Sequence, residues 1–278
     1  MAPAQDFTAY GPSHWIVLAV FVVGAAGLVV LGRVHPGRIP SRVLAVLVLA
    51  LQLSIQIYSL APSRFGLDHS LPLQLSDLAG YVTAYALWSH RRWAFTLTYY
   101  WGLTLSVQAL ITPALRGPDF PHIGFIAFWG IHLLVVWAAI YLTWGRRMRP
   151  DWRGYRLAVV VTTAWAVAML LFNGIAGTNY GFLNAKPTQS SILDLFGPWP
   201  WYLIPEFTLV WGVWALMTLP WSGVAAGRRS AAGPPRRRSP PDAGSSESPE
   251  SAESPASGRG ATRARPAPRW RPVQRPPR

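Results

Sequence analysis

The chain has 278 residues, of which 51% are hydrophobic and 13% charged, with 15 Trp, 26 Pro and no Cys. A soluble domain carries about a quarter charged residues, so this composition points to lipid, and the missing cysteines exclude disulfides, thiolate metal sites and cysteine nucleophiles. The net charge of +14 does not indicate a nucleic-acid partner, because twelve of the 25 basic residues lie after residue 227 and most of the others fall between apolar blocks.

Seven such blocks follow in chain order, at about 13–31, 41–60, 71–88, 93–112, 122–144, 155–176 and 199–219. Each approaches the ~20 residues that a helix needs to cross a bilayer core, and none has Arg or Lys in its interior, Arg42 and Arg156 standing second in their blocks. The expected fold is therefore all-α, a seven-transmembrane-helix bundle over 1–222.

Charge sets the expected orientation. Arg33, Arg38 and Arg42 follow the first block, Arg91 and Arg92 the third, and Arg146, Arg147, Arg149, Arg153 and Arg156 the fifth. The intervening connections carry only Arg64, Arg116 and Lys186. By the positive-inside rule the N-terminus lies outside and the C-terminus in the cytoplasm of a cell-membrane protein. The first block has a basic C-flank and no Lys or Arg before it, the pattern of a reverse anchor rather than a cleaved signal peptide. From about 223 the chain turns to Arg, Pro, Ser, Gly and Ala, a composition that cannot offset chain entropy by burial and predicts a disordered cytoplasmic tail over 223–278. Its basic runs suit anionic lipid headgroups.

Polar residues within the blocks cluster toward the expected outer side. The second block carries Gln52, Ser54, Gln56 and Tyr58, the third opens with Gln74, Ser76 and Asp77, and the fourth ends with Gln108 and Thr112. The fifth starts at His122 and carries His132 some ten residues deeper. Asn173 closes the sixth, with Asn179 and Tyr180 beyond it, and Glu206 lies near the start of the seventh. Ionisable groups in hydrocarbon cost several kcal/mol unless paired or hydrated. Asp77, His132 and Glu206 are thus expected to face one another around an outward-facing polar pocket, with Gln56, Gln74, Gln108, His122 and Asn173 as its binding residues. The bland alternative is that the Gln and Asn side chains serve as interhelical hydrogen-bond glue.

The run Leu71-Pro72-Leu73-Gln74-Leu75-Ser76-Asp77, the end Gln108 to Pro113, Phe120-Pro121-His122 with His132, Asn179-Tyr180, Lys186-Pro187-Thr188 and Gly197-Pro198-Trp199-Pro200-Trp201-Tyr202 form one ordered set. The set resembles the YwaF-like bacterial integral membrane proteins over about 10–220. That family is similar to a eukaryotic multi-pass acyltransferase family that moves fatty acyl chains between phospholipids through a cysteine and a histidine. Members often have His and Cys where this chain has Gln74 and Ser76. The resemblance implies either an acyltransferase with Ser76 as nucleophile, His132 as base and Asp77 or Glu206 orienting it, or a relative that has lost catalysis. The partners implied are membrane lipids and an acyl-lipid substrate.

A transporter or binding protein for a small polar solute or lipid is the competing class, although a conducting path should be polar along its whole length and these residues stop halfway. A retinal protein is excluded, since the one lysine, Lys186, falls in a connection rather than in the seventh block. No cofactor is expected. His69, His122 and His132 have no helical spacing that pre-forms a metal site, so none is expected either.

Overall fold

The computed structural model describes residues 6–113, 115, 117–186 and 195–231, with side chains through Ser222. The described residues form helices α1 (Pro12–Val34), α2 (Ile39–Ser59), α3 (Leu75–Ser89), α4 (Arg92–Trp101), α5 (Val107–Ile111), α6 (Ile123–Ile140), α7 (Trp152–Ala176) and α8 (Leu203–Ala231). A π-helical turn at Gly102–Ser106 joins α4 to α5 in one rod, and a second at Tyr141–Gly145 prolongs α6. Seven rods result, with an isolated Asp6–Pro118 bridge and no strand among the described residues.

Five rods are long and apolar enough to cross a membrane: α1, α2, Ile123–Gly145, α7 and the Leu203–Ser222 part of α8. The all-helical, multi-pass expectation holds at that level. The third rod is shorter than expected because Leu71–Gln74 is a turn and α3 begins only at Leu75. At 15 residues it spans about 22 Å, against a hydrocarbon core of about 30 Å. Its start is fixed chemically. Gln74 is the N-cap, and its backbone N–H donates to Asp77 Oδ2 at 3.3 Å while its carbonyl accepts from the Asp77 N–H at 3.0 Å. The last helix starts at Leu203, beyond Pro198 and Pro200, and runs through Pro220 to Ala231. It therefore carries helix into residues expected to be disordered, while the rest of that tail, 232–278, lies outside the described residues, as do Arg116, Pro187 and Thr188.

α4 lies at the centre. Every residue from Ala94 to Trp101 is buried, although the stretch reads FTLTYYW and is the least aliphatic of the blocks. Its three last aromatic side chains bond neighbouring helices, while Thr98 Oγ1 is buried without a partner among the described residues. Trp101 Nε1 donates to Thr162 Oγ1 of α7 at 2.9 Å, Tyr99 OH donates to the Met217 carbonyl of α8 at 3.1 Å, and Tyr100 OH bonds Thr218 Oγ1 at 2.6 Å. Such cross-helix bonds are each worth about 0.6–2 kcal/mol in a membrane.

On the opposite side α1 packs along α6 and its π extension. A Cβ on Gly32 would stand 2.8 Å from Gly145 Cα and 3.0 Å from the Tyr141 ring, so the two backbones meet with no side chain between them. Trp137 Nε1 donates to the Phe21 carbonyl at 2.9 Å on the same seam. His14, buried near the start of α1, accepts from the Tyr10 N–H at Nδ1 (2.9 Å), donates from Nε2 to the Leu110 carbonyl (2.8 Å) and stacks on Trp129. Gly32→Val should push α1 off the bundle and cost about 1–3 kcal/mol, read as a lowered thermal unfolding midpoint of the detergent-solubilised protein; an unchanged midpoint would refute this seam.

Candidate functional site

The polar residues singled out in the sequence gather at the end of the bundle where α2 and α7 finish and α3 and α8 begin. Most of them form hydrogen bonds within the protein. Asn173, 2% exposed, uses its whole amide: Nδ2 donates to the Tyr180 carbonyl (2.9 Å) and to Asn184 Oδ1 (3.1 Å), and Oδ1 accepts from Thr178 Oγ1 (2.8 Å) and the Tyr180 N–H (2.9 Å). The chain leaves α7 through Gly177 at φ +67° and is folded back over its own last turn.

Tyr180 carries that fold to the next connection. Its hydroxyl donates to the Leu67 carbonyl at 2.8 Å and accepts from the Leu71 N–H at 3.1 Å. Gln74 Oε1 accepts from the Gly181 N–H at 2.9 Å. Gly181 has φ +71°, and a Cβ there would lie 2.4 Å from the Trp165 ring, so conformation and space both require glycine. Trp165 Nε1 donates to the Leu73 carbonyl, Trp199 Nε1 to the Leu183 carbonyl, and Tyr202 OH to the Phe182 carbonyl. Gln56 Nε2 donates to the Ser70 carbonyl at 2.8 Å, and Asn179 Oδ1 accepts from the Asn184 and Ala185 N–H groups. Two connections, 60–74 and 177–185, are thereby tied into one knot over an apolar cluster that includes Leu183, Leu203 and Phe207.

Gln56, Gln74 and Asn173, expected to bind substrate, are thus committed to backbone partners. Gln52 is buried against Gly80, where a Cβ would lie 2.2 Å from its Oε1. Two further expected binding residues lie elsewhere. His122 is the exposed N-cap of α6, its Nδ1 accepting from the Gly124 N–H at 3.1 Å, and Gln108 is exposed on α5.

The expected catalytic residues are not joined. Among the described residues no hydrogen bond or ion pair links any two of Ser76, Asp77, His132 and Glu206. Ser76 is exposed in the first turn of α3, Asp77 caps that helix, and His132 bonds back along α6 from Nδ1 to the Phe128 carbonyl at 2.7 Å. Glu206 differs from the rest: its Oε2 is buried without a hydrogen-bond partner among the described residues. Trp211, five residues on, likewise leaves its indole N–H buried and unpartnered. The described residues contain no group of three His, Cys, Asp or Glu side chains that could hold a metal ion.

A family profile matches residues 9–218, from the segment before α1 to the body of α8. The chain belongs to the TMEM164 family. No curated protein and no solved structure matches it significantly. The matched span takes in the α3 cap, the knot and Glu206, and stops short of the basic tail.

Asn173→Ala should cost about 2–4 kcal/mol, because it strands the Tyr180 N–H and the Thr178 hydroxyl in a buried setting; limited proteolysis should then cut within 177–186, where the parent resists. At the exposed rim His69 Nδ1 meets Asp68 Oδ1 at 2.9 Å. The hydrogen bond to Asp68 is the main cause that raises the His69 pKa above its ordinary value, and a turn backbone bond followed by His69 lowers that of Asp68. The contribution of His69 is complete below the ordinary histidine value and fades as pH rises through the raised one. The imidazole resonance of His69 should titrate above 6.5 and fall back toward it in Asp68→Asn.

Proposed function

We propose that this TMEM164-family chain spans the cell membrane seven times, N-terminus outside and tail inside, and binds the polar head of a membrane lipid beside Glu206. The short α3 and the α4–α5 rod supply the two spans beyond the five that length and composition already support. The basic connections after α1, α3 and the α6 π extension then all lie on the cytoplasmic side, and the knot faces outward.

The observation that carries the lipid reading is the unpartnered Glu206 oxygen. A carboxyl group held among apolar side chains costs several kcal/mol when nothing pairs with it, and proteins keep such groups where a ligand completes them. Glu206 offers a buried acceptor on α8, paired with an apolar flank of Leu203, Phe207 and Val210. A ligand with a hydroxyl or amine head and an acyl body suits that pairing of chemistry. Replacement by leucine separates binding from folding. Glu206→Leu should gain about 1 kcal/mol of stability, since an unsatisfied polar group is removed, while the lipid that co-purifies with the parent, measured by mass spectrometry, is lost. A drop in stability instead would make Glu206 a structural partner and end the proposal.

Acyl transfer remains the second reading, favoured by one observation: the Ser76 hydroxyl is exposed in the first turn of α3, where helix N–H groups stabilise developing negative charge. In that reaction Ser76 Oγ attacks the ester carbonyl of a phospholipid while His132 takes its proton. The acyl C–O bond breaks, the lysophospholipid leaves with that proton, and the hydroxyl of a second lysophospholipid then takes the acyl group from Ser76. Ser76 and His132 must therefore approach by movement on lipid binding. Ser76→Ala and His132→Ala would then insert normally and lose acyl exchange in a lipid profile of the host membrane. Exchange at the parental rate in both variants refutes acyl transfer and leaves binding as the function.

A further inference from the structure

A cleft of about 530 Å³ opens at the other end of the bundle, lined by Arg92, Phe95, Arg147, Met148 and Arg149. Three arginines line it from two separate segments, the first turn of α4 and the connection between the α6 π extension and α7. We propose that this cleft is a binding site for the phosphate headgroup of an anionic membrane lipid.

The site is built rather than incidental. The connection is pinned by the Arg146 N–H to the Tyr141 carbonyl (2.8 Å) and the Met148 N–H to the Leu142 carbonyl (3.0 Å). Between those two bonds Arg147 is held at φ +59°, a left-handed conformation that a non-glycine residue adopts only when its surroundings impose it. Arg92 Nη2 donates to Asp151 Oδ2 at 2.9 Å, and Asp151 Oδ1 accepts from the Gly154 N–H at 2.7 Å. One carboxylate is thus present, with both of its oxygens engaged, and it offsets one of the three positive charges. Arg147 and Arg149 are exposed, and among the described residues neither guanidinium group forms a hydrogen bond or ion pair. The start of α4 adds to the positive field, having no side-chain cap and no acidic residue in its first turn.

Size and lining favour a lipid over a free ion. A phosphate with three forked donors around it is a strong charge-assisted arrangement, but bare phosphate fills a small part of a cavity of this volume. Phe95 and Met148 supply the apolar wall that a glycerol backbone and the first acyl carbons would lie against. A bilayer surface brings such a headgroup to this depth without an ordering cost for the protein.

The test uses the full chain purified in a neutral detergent, with lipid adducts counted by native mass spectrometry. Phosphatidic acid should bind in preference to phosphatidylcholine, and Arg147→Gln/Arg149→Gln should weaken phosphatidic acid binding at least about tenfold. Arg153→Gln, which removes a charge from the adjoining first turn of α7 but does not line the cleft, should leave it within about twofold. An equal loss in both would show that general surface charge attracts the lipid, and would overturn the site. Arg147→Gly guards against misfolding, because glycine favours the left-handed backbone; it should retain the parental unfolding midpoint and still bind less lipid. Full binding in Arg147→Gly also overturns the proposal. Inorganic phosphate is the remaining arm. Displacement of phosphatidic acid only at concentrations far above those of the lipid supports a headgroup site, and displacement at equal concentrations makes the free ion the occupant and refutes the lipid.

Discussion

Inside hydrocarbon there is no water to satisfy a hydroxyl, an indole or an amide, so every polar group in the bundle must find its partner on the protein or be left at a cost. That requirement organises this molecule. The central rod, α4, is studded with Thr, Tyr and Trp, and it becomes the hub because Trp101, Tyr99 and Tyr100 reach α7 and α8. At one end the same demand, applied to the loose backbone of two connections, produces the knot around Asn173 and Tyr180. The demand is unmet at several side chains, Thr98 and Trp129 among them, and Glu206 is the one carboxyl group in that set, which makes it the place where a ligand is worth seeking.

The two π-helical turns belong to the same logic. Gly102 opens one of them, and a Cβ there would stand 3.2 Å from Ala139 Cβ on α6; Gly145 closes the other against Gly32 of α1. Each widened turn coincides with a place where two rods come close enough that only small residues fit. Close approach through small residues is how membrane helices gain packing energy when the surrounding lipid is as apolar as they are. The helical rods and their close seams therefore hold the bundle, and the polar bonds fix which rod meets which.

The positions of the rods were legible in the sequence because apolar length is a one-dimensional property. Each expected span overlaps a helix, and the deviations have local causes: the Gln74–Asp77 cap delays α3, Asp151 starts α7 early by accepting from the Gly154 N–H, and Pro198 and Pro200 hold back α8. Azimuth was not legible. Depth along a helix follows from residue number, but the neighbour that a side chain faces depends on tilt and packing, so Gln56, Gln74 and Asn173 could be placed at the right end without revealing that they bond backbone. His14 was missed altogether. A histidine at the first turn of an apolar block looks interfacial, and only the approach of α5 and α6 encloses it.

The knot also sets an order of assembly. Gln74 and its partner Gly181 are 107 residues apart in the chain, as remote as Leu67 and Tyr180 are at 113. The N-terminal end of α3 therefore stays unsealed while three further rods emerge from the ribosome, and closes only after α7 has been made and its following loop translated. Until then the chain exposes bare amides at that end, and whatever chaperone or insertion machinery attends its synthesis meets them there first.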